Sequence, residues 1–408
     1  MHVLNVLTSL SDRYGGPPQV ARGLGAALAG CGCRVSYRAT AGKEETPAST
    51  ALSRDERSFP RTWPQAWYRS PGLTNDLQSE IGSVDILHIH EVWSHPQCTA
   101  ARIARGNGTP YVVTPHGELE SRHLHHGSRA KHLKKRAYLA LVGRAALRRA
   151  ACLQAITPRE IEGFRRVGYD GPVTVVPNGI DAERFAELPD REVAERIWPR
   201  LRNRPVVLFL SRLSPEKGLD QLIPAWKRLV ARRPYRDALL VLAGPDDRGY
   251  RATVARSIEE SNLADSVLST GIVGGHEKMA LISRADVYTL PSYAEGFSIS
   301  VLENLAAGKP VLITPGCNFP EVARVGAGLC VDPRPETLEE GLRELLDMSD
   351  AERAAMGRRG RNLVLRKYTW ATAARKMLTV YRDVLAGKEV PLYPEPAAVD
   401  RDAEPQAA

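Results

Sequence analysis

Apolar runs of strand length alternate with longer stretches of helical periodicity from His2 to Leu385. Strand patterns fall at His2–Leu7, Arg34–Ala39, Val84–His90, Pro110–Thr114, Cys152–Ile156 and Val173–Val176. Helical patterns at Pro18–Ala29, Pro96–Arg105 and Arg129–Arg149 separate some of them. The series then restarts, with strands at Pro205–Leu210, Leu239–Ala243, Val267–Ser269, Ala285–Leu290, Pro310–Ile313 and Gly328–Val331. Helical patterns alternate with these at Gly218–Ala231, Tyr250–Asn262, His276–Ser283, Ile299–Ala307 and Leu338–Leu346. Strands alternating with helices predict parallel sheets joined by right-handed crossovers. Two such series predict an α/β chain of two doubly wound domains, facing each other across a ligand cleft at the carboxyl ends of their strands.

The expected bounds are 1–182 and 183–369, with a linker near Asp181–Asn203, which is charged and contains Pro189 and Pro199. A helix at about 370–386 is expected to pack back on the first domain. The tail 387–408, with Pro-Glu-Pro and Asp-Arg-Asp-Ala-Glu, reads as disordered.

Length and composition agree with two ordinary cores: 408 residues, 43% hydrophobic and 25% charged. No run approaches the ~20 apolar residues of a membrane span. The chain opens on a strand pattern rather than a basic leader and apolar stretch, so no signal peptide is expected and the location expected is cytoplasmic. Six scattered cysteines, with Cys31 and Cys33 as C-x-C, read as reduced thiols. The formal charge of +9 favours anionic partners without choosing among nucleotide, lipid headgroup and nucleic acid.

Chemistry is concentrated in a few loops. Tyr14-Gly-Gly-Pro-Pro18 follows the first strand and opens a helix, so Gly15 and Gly16 could let a phosphate approach the helix N-terminus. A tight turn without a ligand reads equally well. Arg212 and Lys217, in Ser211-Arg-Leu-Ser-Pro-Glu-Lys-Gly218, lie just past the first strand of the second series, where two cations could neutralise a diphosphate. Alone, they read as solvated surface charges. Pro291-Ser-Tyr-Ala-Glu-Gly-Phe-Ser-Ile-Ser-Val-Leu-Glu303 joins a strand to a helix through Gly296. There the backbone of Phe297, Ser298, Ile299 and Ser300 offers N–H donors, flanked by the carboxylates of Glu295 and Glu303.

Eight of the ten histidines lie between His88 and His132. His88 and His90 share one strand face, but no H-E-x-x-H, cysteine or D-x-D pattern joins them, so no metal site is expected. His116, in Thr114-Pro-His-Gly-Glu118, ends a strand and is a candidate for the reaction centre. The basic pattern Arg129–Arg149 fits either an anionic membrane surface or a solvated helix face.

In their order and spacing, these segments resemble the retaining GT-B glycosyltransferases of family four, the group 1 glycosyl transferases. Pro177-Asn-Gly-Ile-Asp181 and Leu242-Ala-Gly-Pro-Asp246 add to the resemblance. His88-Ile-His-Glu-Val-Trp93, Thr114–Glu118 and Thr314-Pro-Gly-Cys-Asn318 look like enzymes of extracellular or capsular polysaccharide assembly.

The resemblance implies roles. Glu295 would contact the transferred sugar and Glu303 the ribose hydroxyls, while Arg212 and Lys217 would bind the donor diphosphate. Gly16 and the backbone from Phe297 to Ser300 would touch phosphate, with Gly15 and Gly296 also in the donor-binding set. His116 would sit at the sugar, and the segment through Val273 would read the base. His90 and Trp93 are candidates on the acceptor side. Ser298 departs from a common glycine or proline and leaves the donor sugar open. Asn304 departs from a frequent alanine.

The function expected is transfer from a UDP- or GDP-linked sugar, without metal or other cofactor, to a glycan or lipid-linked oligosaccharide. Peripheral membrane contact through 129–149 is an option, and nucleic acid is not expected. The alternatives are another GT-B enzyme, such as an epimerase or inverting transferase, and a non-enzymatic basic binding protein. Aromatics at 6% and dispersed cations speak against the last.

Overall fold

Parallel strands covered by helices on both faces have no solvent side, so they are written as continuous apolar runs. In the computed structural model, which describes residues 1–11, 14, 16–42, 55–119, 138 and 143–392, such runs build two sheets. Contacts group the chain into two units: Met1–Gly179 with the segment from Trp370 onward (unit 1), and Ile180–Thr369 (unit 2).

Unit 1 holds β1 (His2–Val6), β2 (Arg34–Ala41), β3 (Glu56–Pro60), β4 (Ile86–His90), β5 (Tyr111–Thr114), β6 (Cys152–Ala155) and β7 (Val173–Val175). Their order is β3-β2-β1-β4-β5-β6-β7, with every pair parallel. Leaving β1 the chain builds outward through β2 and β3, then crosses to the other side at β4. The carboxyl ends of β1 and β4 are therefore the switch point where such sheets bind ligands. The helix Trp370–Leu385 belongs to this unit; it buries Ala373, Ala374, Met377, Val380 and Tyr381 in a cluster with Val3, Leu24 and Leu28.

Unit 2 holds β8 (Val206–Leu210), β9 (Leu239–Ala243), β10 (Val267–Gly271), β11 (Val287–Leu290), β12 (Val311–Ile313) and β13 (Gly328–Cys330). The order β10-β9-β8-β11-β12-β13 is again wholly parallel, and its switch point lies between β8 and β11. The helix Leu219–Val230 buries Leu219, Leu222, Ile223, Ala225, Trp226 and Leu229 on one face. Each large side chain of that face contributes about 1.5–3 kcal/mol by leaving water. The Trp226 indole N–H donates to the carbonyl of Ser266 at 3.1 Å, satisfying its one polar atom.

Several elements depart from the expected pattern. β3, Glu-Arg-Ser-Phe-Pro, is a largely exposed edge strand without an apolar run, and Pro71–Glu80 buries only Leu73 and Leu77. The expected linker Asp181–Asn203 is instead folded into unit 2, as short helices at Ala182–Phe185, Arg191–Ile197 and Pro199–Leu201. Phe185, Ala194 and Leu201 anchor it in the core while its charged positions stay outside. Asp350–Lys367 is an unanticipated helix of 18 residues, opened by a capping box between Ser349 and Glu352. Of the basic segment 129–149, only Tyr138 and 143–149 are described, and Arg144–Arg148 is helical. Gly15 and most of the tail lie outside the described residues.

Candidate functional site

The loop after β8 is built to present Lys217. Pro215 opens a short helical turn, Pro215–Lys217, and Gly218 closes it at φ 72. A Cβ on Gly218 would stand 2.0 Å from the carbonyl oxygen of Pro291, so glycine is required by both conformation and space. The loop after β11 is tied to this turn: the N–H of Tyr293 and the hydroxyl of Ser292 both donate to the carbonyl of Glu216, at 2.9 and 2.8 Å. Lys217 then donates from Nζ to Glu295 Oε1 at 2.6 Å, with the two side chains 8% and 11% exposed. A charge pair this buried is held by geometry, each partner offsetting the other's cost of leaving water.

Behind Glu295 stands the segment after β12. The N–H of Glu295 donates to the carbonyl of Gly316 at 2.8 Å, and Asn318 Nδ2 donates to the carbonyl of Glu295 at 2.6 Å. A Cβ on Gly316 would meet the carbonyl oxygen of Ser292 at 2.1 Å. Three loops from adjacent strand ends thus lock one carboxylate in place.

Ser298 is the N-cap of the helix Ile299–Ala306; its hydroxyl accepts from the N–H of Val301 at 3.4 Å and lies 3.2 Å from Ser300 Oγ. The N–H groups of Ile299 and Ser300 are the uncapped donors of the first turn. The ring of Phe297 is not free to face a ligand: it packs with Phe319 and Tyr368, at centroid distances of 5.7 Å to each. Only the backbone of that residue is available to an anion.

Glu303 sits about one turn into the same helix and accepts from Lys278 Nζ at 2.5 Å. Lys278 belongs to the helix Gly275–Arg284 and was not singled out in the sequence. Arg212 is more open, its side chain 55% exposed, with Asp247 at 3.4 Å and Glu216 at 3.6 Å. Val273 is partly buried on the core, next to Ile272, which is 73% exposed. A cavity of about 660 Å³ lined by Arg200, Arg204 and Arg236 opens before β8 and β9, at the opposite, amino ends of the strands. It holds none of the candidate site residues named above.

Unit 1 gathers a different chemistry at its switch point. The ring of His88 stacks on that of His90 at 4.3 Å, and His90 on His116 at 5.2 Å. His90 is 1% exposed and bonded through both nitrogens, Nδ1 to His116 Nε2 and Nε2 to Asn5 Oδ1, each at 3.0 Å. A direct contact between His90 and an acceptor is therefore closed off by burial. His116 is the member of the stack that is only partly buried. Burial pushes the His88 imidazole down to about 3 and His116 to about 4, and holds His90 well below the ordinary histidine range. All three are neutral near pH 7.

Glu91, at φ 69, turns its carboxylate back to accept from the N–H of Thr8 at 3.0 Å. Burial raises its pKa. Trp93 packs against Tyr138, with ring centroids 5.7 Å apart. Gly16 opens its helix with nothing within 4 Å of where a Cβ would stand. Among the described residues, His2, Asp55 and Glu80 are a group with metal-like spacing. The Arg38 guanidinium, fully buried, lies against both carboxylates at 3.0 and 2.5 Å, so the group is an ion-pair network.

Comparison with known proteins finds two family likenesses, one in each half of the chain. Residues 14–184 match the family Glycosyltransferase Family 4, and residues 190–363 match Glycosyl transferases group 1. The chain resembles these glycosyltransferases along most of its length. It is 35% identical over 217 residues to a GDP-mannose-dependent alpha-(1-6)-phosphatidylinositol monomannoside mannosyltransferase of Mycobacterium tuberculosis, covering 51% of this chain and 55% of that one. The match thus spans about half the length of that curated relative. A D-inositol 3-phosphate glycosyltransferase of Stackebrandtia nassauensis is 29% identical over 329 residues, or 78% of this chain and 72% of that one.

Two solved structures share the fold. One is a sucrose-phosphate synthase from Thermosynechococcus elongatus, with a TM-score of 0.73 and 22% identity over 95% of this chain and 100% of that one. The other is Anabaena HepE in complex with UDP and glucose, with a TM-score of 0.74 and 18% identity over 93% and 98%. Both units are Rossmann-like and of GT-B type. Among the described residues, no helix is long and apolar enough to cross a membrane.

Lys217 and Glu295 are separate candidates in the sequence, and the fold makes them one pair. Lys278 and Asn5 are not candidates there, and Asn318 appears only inside one of the resembling segments. Asn5 carried a signal, being a polar residue inside the otherwise apolar strand Val3–Val6; Lys278 carried none beyond an ordinary helical lysine.

Proposed function

We propose that this protein transfers a sugar from a nucleoside-diphosphate sugar to an acceptor hydroxyl with retention of configuration. The observation that carries the reading is the buried Lys217–Glu295 pair beside the N-terminus of the helix Ile299–Ala306. An ammonium group and the first-turn N–H donors, on loops after adjacent strands, are groups that bind an anion, and the carboxylate can accept from sugar hydroxyls. Lys217 and Arg212 take the diphosphate, whose charge grows as the glycosidic bond breaks. Glu295 orients the sugar. Glu303, held by Lys278, accepts from a ribose diol, and the backbone through Val273 meets the base. In unit 1, Gly16 leaves room for a phosphate, and His116 bonds a sugar hydroxyl.

The step breaks the bond from the anomeric carbon to phosphate oxygen, with its electron pair leaving on the diphosphate. The acceptor oxygen bonds to the same face, and its proton passes to the departing phosphate oxygen. Cationic side chains supply the charge that a metal supplies elsewhere, so no metal is assigned.

The relatives favour GDP-mannose as the first donor to try and a phosphoinositol glycolipid as the first acceptor. A role in extracellular or capsular polysaccharide assembly rests on the His88–Trp93 and Thr114–Glu118 segments. The test is thermal unfolding with GDP-mannose, UDP-glucose and the free nucleotides, followed by the anomeric configuration of any product by NMR. A donor at a hundred times its dissociation constant adds about 2.7 kcal/mol. If no nucleotide sugar moves the transition, the reading fails; an inverted product removes retention alone.

A further inference from the structure

The buried polar groups of unit 1 form a hydrogen-bonded line whose direction is fixed at one end. The carbonyl oxygen of Ser36 only accepts, so the end of the Asn5 carboxamide facing it, at 3.4 Å, is Nδ2. Oδ1 is thereby turned to His90 Nε2 at 3.0 Å. An amide oxygen also only accepts, so the His90 proton is on Nε2 and its lone pair is on Nδ1. That lone pair lies 3.0 Å from His116 Nε2, which must donate. The lone pair of His116 is then on Nδ1, which has no partner among the described residues.

A second line runs the same way through His88. Gln154 Nε2 donates to the carbonyl of Val176 at 2.8 Å, and Gln154 Oε1 accepts from Thr114 Oγ1 at 2.8 Å. Thr114 therefore accepts from His88 Nε2 at 2.7 Å, and His88 Nδ1 accepts from the Tyr381 hydroxyl at 2.6 Å. His88 is saturated and cannot offer His90 another donor. The backbone at His116 is also constrained, at φ 53, a conformation uncommon outside glycine and found where surrounding structure imposes it.

We propose that Asn5 and His90 are positioning residues that hold His116 as a hydrogen-bond acceptor at Nδ1, so that it takes a hydrogen bond from a sugar hydroxyl and cannot give one. This rests on the reading above that His116 meets the sugar. It adds a selectivity: the site favours a sugar carbon bearing a hydroxyl over one bearing fluorine or hydrogen, because neither of these can donate.

The test uses the full chain with 15N-labelled histidine, assigned with His116→Gln. At pH 7 the expected spectrum has His116 protonated at Nε2 and bare at Nδ1. Asn5→Leu removes the fixed acceptor and should let His90 and His116 exchange tautomers. It should lower the rate of sugar release from GDP-mannose roughly tenfold, as loss of a well-placed hydrogen bond does, while leaving GDP binding unchanged. Asn5→Asp keeps an acceptor oxygen against His90 and should retain both the tautomer and most of the rate.

A wild-type spectrum with the proton on His116 Nδ1 would overturn the proposal, even if Asn5→Leu fails to fold. A wild-type rate in a folded Asn5→Leu would overturn it too. If the native chain releases sugar from neither GDP-mannose nor UDP-glucose, it is the proposed function that falls, and the spectrum still decides the tautomer.

Discussion

Unit 1 stacks three imidazoles on one another and bonds them to neutral groups, whereas unit 2 sets each of two ammonium groups against a glutamate. Both arrangements sit at the switch point of a parallel sheet. They handle burial differently. An imidazole can shed its proton near neutral pH, so His88, His90 and His116 meet burial by staying neutral. A lysine sheds its proton far less readily, so Lys217 is buried with Glu295 and Lys278 is set against Glu303. The first kind of site offers directional hydrogen bonds and no field; the second offers charge that can be redistributed when an anion arrives.

The sharpest test of that contrast is the pair Lys217→Ala and Arg212→Ala. Both should reduce turnover by roughly 10²–10³, the scale of removing one electrostatic stabiliser. Lys217→Ala should also lower the stability of unit 2 by about 3–5 kcal/mol, because Glu295 is left buried and unpaired. Arg212, half exposed, should change stability by less than about 0.5 kcal/mol. Turnover and urea denaturation separate the two. Full activity in Arg212→Ala would remove it from the diphosphate site.

Acid should strike unit 1 harder. The three stacked histidines have folded values below the unfolded one, so the unfolded chain binds more protons as pH falls below about 6.5. Stability present above that pH is lost through the window down to about 4, where His116 titrates, and on towards about 3, where His88 does. The slope approaches roughly 1.4 kcal/mol per pH unit for each ring. Melting followed through unit 1 tryptophans between pH 7 and 4.5 measures it, and a flat profile would contradict the neutral stack.

Lys278→Ala should act on binding, raising the KM for a nucleotide sugar about tenfold, near the cost of one charge-assisted hydrogen bond, with kcat little changed. Steady-state kinetics give the split. The smallest effect is expected at Ser298. Its hydroxyl caps a helix, so Ser298→Ala should cost about 1 kcal/mol in stability and leave donor preference alone. A changed donor preference would return Ser298 to the sugar pocket.

Periodicity carried most of the fold because a strand covered on both faces must be apolar throughout, and twelve of the thirteen described strands fall on a predicted run, each with bounds within two residues of it. β3 was illegible for the opposite reason, since an exposed edge strand has nothing to bury. The stretch Asp181–Asn203 misled because its charges and prolines outnumber the few apolar anchors, Phe185, Ala194 and Leu201, that fold it into unit 2.

At the sites, residue types and loop positions were readable: a lysine after β8, two glutamates after β11 and a histidine after β5. Their spacing along the chain places them at strand ends, where backbone donors and ligand-binding chemistry collect. Tertiary structure alone decided the partnerships, because Lys217 and Glu295 are 78 residues apart and Tyr381 reaches His88 over 293. It likewise decided that His90 is buried, that Ser298 is a cap, and that Lys278 belongs with Glu303. Those facts depend on which loops and helices end beside one another, and hydrogen bonds acting over about 3 Å are set by that proximity.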